Sequence, residues 1–383
     1  MRKIAVVVTA RPSYSRIKTV LEAVRNHPDL ELQLIVSASA LLSRYGSAVD
    51  VIEHDGFEIA ARAYTVLEGD KPELMAKTTG MGMIELATVF GNLKPDIVVT
   101  VADRYETMAT AVTAAYMNIP LAHVQGGEIT GNIDEKVRHA ITKLADYHLV
   151  ASDKAAERVL RLGEDAASVF VTGCPSIDLA VDVLENPAFD FDPYAKYGGV
   201  GAAPDLSSGY LVVLQHPVTT DFTHARDHIL ETLHAVRACG LPSLCFWPNT
   251  DAGSDGTSSG IRYFREAFGS ENIHFFKNME PQDFLRLLRN SRAIVGNSSV
   301  AIRECAYLGV PAINIGDRQV GRDRGLNVMD VAYDRDDILR TIEVHCGKGR
   351  HAQDLIYGDG TAGAQIADIL ARVELRFHKM LPF

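Results

Sequence analysis

The sequence predicts an α/β protein of two doubly wound, Rossmann-like domains facing a cleft. Three observations predict it. Short β-branched runs alternate with amphipathic stretches along the chain, the runs are apolar at nearly every position, and one Pro/Gly-rich segment divides the pattern into halves. A strand without polar alternation is covered on both faces, the condition of a parallel sheet flanked by helices. At 383 residues the chain also exceeds one ordinary core and suits two domains.

In the first half the expected strands are "KIAVVVTA" (3–10), "LELQLIVSAS" (30–39), "DIVVTVA" (96–102), "PLAHVQ" (120–125), "YHLVAS" (147–152) and "SVFVTG" (168–173). Ile17, Val20, Leu21 and Val24 follow the first with helical spacing, the period that separates helix from strand. The second half repeats the theme with "YLVVLQ" (210–215), "SLCFWPN" (243–249), "IHFFKN" (273–278), "RAIVGN" (292–297) and "PAINIG" (311–316). Between them, 185–209 is rich in Pro, Gly, Asp and Ser without either period, which reads as a linker. The expected domains are therefore 1–184 and 210–362, with a C-terminal helix in 363–383 packing back on the first.

Composition narrows the function. With 47% apolar and 23% charged residues the chain is ordinary for a globular protein. A net charge of −11 disfavours a nucleic-acid or anionic-membrane surface, which needs a concentrated basic field. Cys174, Cys239, Cys245, Cys305 and Cys346 are odd in number and form no C-x-x-C pair, so a zinc site or disulfide framework is not expected. No run approaches the roughly 20 apolar residues of a membrane span, and no signal-peptide pattern follows Met1. A cytoplasmic location is expected.

Ligands of doubly wound sheets bind beyond the carboxyl ends of the strands, so the residues after each strand carry the function. Arg11, before Pro12, leads a set with Ser13, Ser15, Arg16 and Lys18 at a helix start. This is either an anion site or a Ser13 cap with solvated basic side chains. There is no G-x-G-x-x-G here, hence no nicotinamide or flavin fingerprint. Asp103, followed by Arg104, sits at the mouth of a buried strand, as a helix cap or as a catalytic or hydroxyl-binding group. Gly126 and Gly127 then lead to Glu128, with glycines that would let the backbone approach a ligand closely. Asp134, Glu135, Arg138 and His139 follow on a helical pattern that a solvated face would also show. In the second half His216 ends one strand, while Asn297, Ser298 and Ser299 begin a helix suited to a diphosphate. Glu304 could hold a ribose diol, Arg318 and Arg322 lie near the same edge, and Asn249 lies in a polar loop at the rim.

Six stretches in order carry a resemblance: "RPSYSRIK" (11–18), "GGEITGNIDEKVRHAITKLADYH" (126–148), "GCPSID" (173–178), "PNTDAGS" (248–254), "GNSS" (296–299) and "NIGDRQVGR" (314–322). Together they resemble the hydrolysing UDP-N-acetylglucosamine 2-epimerases of sialic-acid and legionaminic-acid biosynthesis. The non-hydrolysing relatives begin with an Arg-Pro-Glu type loop and carry a basic cluster after the histidine. This chain has Arg-Pro-Ser-Tyr, and "PVTTD" after His216. The resemblance implies a glycosyltransferase-B fold, with UDP on the second domain and the sugar facing the first, in a homodimer or homotetramer. It implies loss of UDP from C1 and of a proton from C2 to give a glycal, then water addition to release a free 2-epimer.

On that reading Asp103, Glu128, Asp134, Glu135 and His216 are the candidate catalytic groups. Arg11, Ser298, Ser299, Glu304 and Arg318 would hold UDP, and Arg104, Arg138, His139 and Asn249 would support the sugar side. No cofactor or metal is expected. The rivals are a glycosyltransferase of the same fold, a non-hydrolysing epimerase and a non-catalytic nucleotide-sugar sensor.

Overall fold

A computed structural model describes the chain except residues 43–47, 68–71, 131–132, 219–220, 249–252, 377–378 and 381–383. The chain divides into two compact units. The first comprises Met1–Ile129, Ile133–Asp178 and Tyr357–Phe383, and the second comprises Thr130–Asn132 and Leu179–Ile356.

The first unit is built on β1 (Arg2–Val8), β2 (Leu30–Ser37), β3 (Ile59–Ala63), β4 (Ile97–Val101), β5 (Leu121–Val124), β6 (Tyr147–Val150) and β7 (Val169–Val171). Their order in the sheet is β3-β2-β1-β4-β5-β6-β7, and each pairing is parallel. Along β1, Ile4, Val6 and Val8 pack into one core and Ala5 and Val7 into another on the opposite face. Both faces are covered, which is why the strand shows no polar alternation. The order reverses between β1 and β4, so Arg11 and Asp103 follow the two strands that flank the switch point, where doubly wound sheets bind ligands. Strand β3 was not among the expected strands. It is an edge strand, "IAARA", with only Ala63 buried, so it lacks the apolar run that marks its neighbours.

The chain's last part completes this unit. Helix Ala362–Arg372 places Ile366 and Leu370 in the same core as Val20, Leu21 and Val24. Asp178, the last residue of "GCPSID", holds its start by accepting the N–H of Ala362 at 3.0 Å and of Gly363 at 2.7 Å. A Cβ on Gly363 would lie 2.7 Å from the Thr19 carbonyl oxygen, so only glycine permits this approach.

The second unit contains β8 (Val200–Gly201), β9 (Leu211–Leu214), β10 (Ser243–Phe246), β11 (Ile273–Phe276), β12 (Ala293–Gly296), β13 (Ala312–Ile315) and β14 (Val328–Val331). They are ordered β14-β13-β12-β9-β10-β11-β8, with β8 alone antiparallel, against β11. The switch point lies between β9 and β12. Segment 185–209 is not a free linker but part of this unit. Within it Asp192 caps helix Pro193–Tyr197, and Lys196 and Tyr197 both bond Asp283 at 2.6 Å. Its composition hides these elements, although Asp before Pro is a helix-start signal. The unit boundaries accordingly fall after Asp178 and Ile356, not after 184 and 362.

Candidate active site

Asp103 follows β4 after Ala102, whose φ of 63° is left-handed and uncommon for a residue with a Cβ. Beyond this turn Asp103 is 7% exposed. Arg138, 1% exposed, reaches it from helix Ile133–Leu144. One Arg138 nitrogen bonds Asp103 Oδ2 and the other donates to the Glu128 carbonyl at 2.7 Å. Arg16 adds a second guanidinium 3.8 Å from Asp103 Oδ1. A buried carboxylate requires such compensation, and these contacts hold its two oxygens in fixed directions. Asp103 is thus not serving as a simple helix cap: the cap position of Tyr105–Tyr116 is Arg104, with no side-chain cap bond.

The double glycine has a structural cause within its own unit. A Cβ on Gly126 would stand 3.0 Å from His123 Nδ1 and 3.1 Å from Thr142 Oγ1. Gly127 has φ 74°, and its Cβ would meet the Ala155 carbonyl oxygen at 2.3 Å. The glycines therefore let the turn settle onto its own unit, and Glu128 ends it with a buried side chain. Asp134 and Glu135 lie in the first turn of Ile133–Leu144, where backbone N–H groups favour carboxylates. His139 Nε2 lies 3.4 Å from Glu135 Oε1, one turn back. Arg104 contacts both oxygens of Glu106 at 3.2 Å. Arg11 opens the short helix Arg11–Ser15 and is half-buried. Lys18 pairs with Asp55 at 2.8 Å, a carboxylate that also accepts the Tyr14 hydroxyl. Asn249 lies outside the described residues.

In the second unit the backbone N–H of His216, after β9, donates to Asn297 Oδ1 at 2.7 Å. Asn297 Nδ2 returns a bond to the His216 carbonyl at 2.9 Å. This reciprocal pair ties the two strand ends at the switch point. The Asn297 carbonyl accepts from Arg318 at 3.2 Å and Gln319 at 2.9 Å, so His216 and the stretches 296–299 and 314–322 meet on one residue. Ser298 caps the following helix, but that helix runs only Ser299–Ile302 before Arg303 interrupts it and Glu304–Leu308 continues. A four-residue helix carries little dipole, so the positive charge here comes chiefly from side chains. Arg303, buried, donates to Ser299 Oγ at 3.0 Å, with Arg318 and Arg322 nearby in sequence on "GDRQVGR". Glu304 is buried, and among the described residues its Oε2 accepts no hydrogen bond, with Arg303 Nε 3.9 Å away. Among the described residues no group of three or more His, Cys, Asp or Glu could hold a metal ion, and no helix is long and apolar enough to cross a membrane.

Two doubly wound sheets with these strand-end clusters invite comparison with known proteins. The family model "UDP-N-acetylglucosamine 2-epimerase" matches residues 22–371. The chain belongs to that family. It is 30% identical to a hydrolyzing UDP-N,N'-diacetylbacillosamine 2-epimerase of Legionella pneumophila, over 98% of this chain and 97% of that one. It is 31% identical to a hydrolyzing GDP/UDP-N,N'-diacetylbacillosamine 2-epimerase of Campylobacter jejuni, over 86% and 84%. The crystal structure of UDP-GlcNAc 2-epimerase from Neisseria meningitidis bound to UDP-GlcNAc shares the fold, with TM-score 0.81 and 18% identity over 97% of this chain and 100% of that one.

In this member of the epimerase family Arg138 joins Asp103, which it bonds through one nitrogen, to the backbone carbonyl of Glu128. Sequence reasoning passes over three groups. Arg16 stands in sequence among the helix-start cations, yet it approaches Asp103. Arg303 carries no signal in the sequence beyond its place in a helical stretch, yet it is buried and donates to Ser299. His123 lies inside an apolar run, and its polarity there was the available signal, since a buried histidine needs hydrogen-bond partners.

Proposed function

We propose that the protein is a hydrolysing 2-epimerase that converts a UDP-linked 2-acetamido sugar to UDP and the free 2-epimer. The observation that carries this reading is the buried Asp103, held by Arg138 and Arg16 beside the turn that ends in Glu128. The two relatives at 30% and 31% identity, both named as hydrolyzing enzymes, support the hydrolytic outcome.

The C2 proton is weakly acidic until positive charge builds at C1, so departure of the diphosphate must be assisted. Arg11, Ser298, Ser299, Arg318 and His216 are assigned to the charge developing on UDP, and Glu304 to the ribose hydroxyls. The C1–O bond breaks with its electron pair going to UDP. A carboxylate takes the C2 proton, and the C2–H electrons form the C1–C2 double bond of a glycal. Water then adds its oxygen to C1 and a proton returns to C2 on the opposite face, leaving the free sugar inverted at C2. Asp103 and Glu128 are the first candidates for the proton transfers, with Asp134 and Glu135 next, since such groups must lie within hydrogen-bond reach of the reacting atoms. Arg138 fixes the first pair, and Arg104, His139 and Asn249 are assigned to the sugar's surroundings. The substrate is UDP-N-acetylglucosamine or a UDP-2,4-diacetamido-trideoxy sugar of the kind named for the relatives.

The test is proton NMR of the protein with each sugar in D2O. Free UDP together with a free mannose-configured sugar deuterated at C2 is expected. A deuterated sugar still attached to UDP would make the enzyme non-hydrolysing, and turnover of neither sugar would overturn the reading.

A further inference from the structure

We propose that His123 is a positioning residue whose imidazole joins the strand end presenting Asp103 to the helix presenting Arg138. The catalytic meaning of this role rests on the function proposed above. His123 lies on β5 with 0% exposure. Its Nε2 is 2.9 Å from the Ala102 carbonyl oxygen and its Nδ1 is 3.2 Å from Thr142 Oγ1. A carbonyl only accepts, so Nε2 carries the proton and donates to Ala102. Nδ1 is then the acceptor, and the Thr142 hydroxyl donates to it.

Each bond reaches a residue next to the site. Ala102 immediately precedes Asp103 and holds the left-handed turn at φ 63°. Thr142 lies one helical turn beyond Arg138 on Ile133–Leu144. The third neighbour is Gly126, where an added Cβ would crowd both His123 Nδ1 and Thr142 Oγ1. One ring thus meets the β4 tip, the helix and the glycine turn, the three elements that carry Asp103, Arg138 and Glu128. Burial foremost pushes the imidazole down to about 3, although the Ala102 carbonyl favours its charged form. The ring therefore keeps one neutral tautomer at any physiological pH, which suits a fixed spacer and excludes a proton shuttle.

The experiment combines three variants with a spectroscopic readout. His123→Leu removes both bonds. His123→Gln keeps a donor near the Nε2 position, and Thr142→Val cuts only the helix side at similar volume. Long-range proton–nitrogen NMR of the wild type should show one His123 ring pattern, protonated at Nε2 and unchanged from about pH 5.5 to 8.5. His123→Leu should lower kcat on the order of 100-fold, the scale expected when a reacting group is displaced by about 1 Å, while KM moves less than about 3-fold. His123→Gln should recover most of that loss. Thr142→Val, which keeps the Ala102 bond, should lower kcat by about 10-fold and supplies the answer if the leucine variant does not fold.

Loss of melting temperature with unchanged kcat in both His123→Leu and Thr142→Val would overturn the proposal. So would a ring protonated at Nδ1, or one that titrates in this range. Failure of the wild type to turn over either sugar would instead remove the proposed function while leaving the NMR prediction standing, so the two failures are distinguishable.

Discussion

At the residue scale, the decisive contact is Arg138 on Asp103. Both side chains are buried, and removing one partner of such a pair strands the other without compensation, a loss of about 3–5 kcal/mol. Arg138→Met should lower unfolding free energy by about that amount, read by urea denaturation. Arg138→Lys should retain more stability and still lose activity, because one ammonium cannot reproduce the directed pair of bonds to Asp103 and the Glu128 carbonyl. A kcat within about 2-fold of wild type for Arg138→Lys would show that charge alone suffices. Gly127→Ala tests the turn independently. Its Cβ would meet the Ala155 carbonyl at 2.3 Å from a backbone at φ 74°. A loss of about 1–3 kcal/mol is expected by the same measurement.

At the element scale, two attachments shape the first unit. Asp178 holds the start of helix Ala362–Arg372 through the amides of Ala362 and Gly363 and accepts the Thr19 hydroxyl at 2.8 Å. Asp178→Ala should cost about 1–2 kcal/mol, the range for losing a helix cap. The expected signature in amide hydrogen exchange is faster exchange in 362–372 before the sheet is affected; uniform acceleration throughout the unit would contradict a local cap. The second attachment is Glu164, which meets His148 at 2.9 Å, Lys143 at 2.6 Å and Lys379 at 2.5 Å. Burial alone would raise this carboxyl, but the three hydrogen bonds outweigh it and hold it at about 2, below the ordinary value of 4.5. A depressed acid contributes stability that is present above its unfolded value and lost as pH falls. Acid titration should therefore show a loss between about pH 4.5 and 2 that Glu164→Gln flattens, and an unchanged profile would count against this cluster.

At the scale of the whole molecule, the first unit is discontinuous in sequence: its sheet is made before Asp178, and one of its covering helices arrives only after Ile356. A chain ending at Ile356 would leave Val20, Leu21 and Val24 without Ile366 and Leu370 over them. Calorimetry of that truncated chain should show the first unit's transition lowered or lost. Retention of its full melting temperature would mean the C-terminal helix adds little to that core. Each unit repeats one topological device, a reversal of strand order that leaves two strand ends side by side. Asp103 and Arg11 follow the two strands at one reversal, and His216 and Asn297 follow those at the other.

The sequence by itself determined the two-sheet α/β architecture, because continuously apolar strands between amphipathic helices leave few other ways to bury both faces. It also marked Asp103, Glu128, His216 and Ser298, since strand ends in such sheets can be located from the apolar runs alone. It did not reveal β3, an edge strand with a polar side, or the helix and strand inside 185–209, where composition outweighed the Asp192-Pro193 signal. Only tertiary structure decided what each polar group touches. Arg138, four residues from Asp134 in sequence, reaches Asp103 on another element. The paired glycines serve packing against His123 and Ala155, and the helix after "GNSS" breaks at Arg303. Periodicity reports which face of an element is buried, whereas a hydrogen-bond partner is fixed by where distant backbones converge, and no local pattern records that.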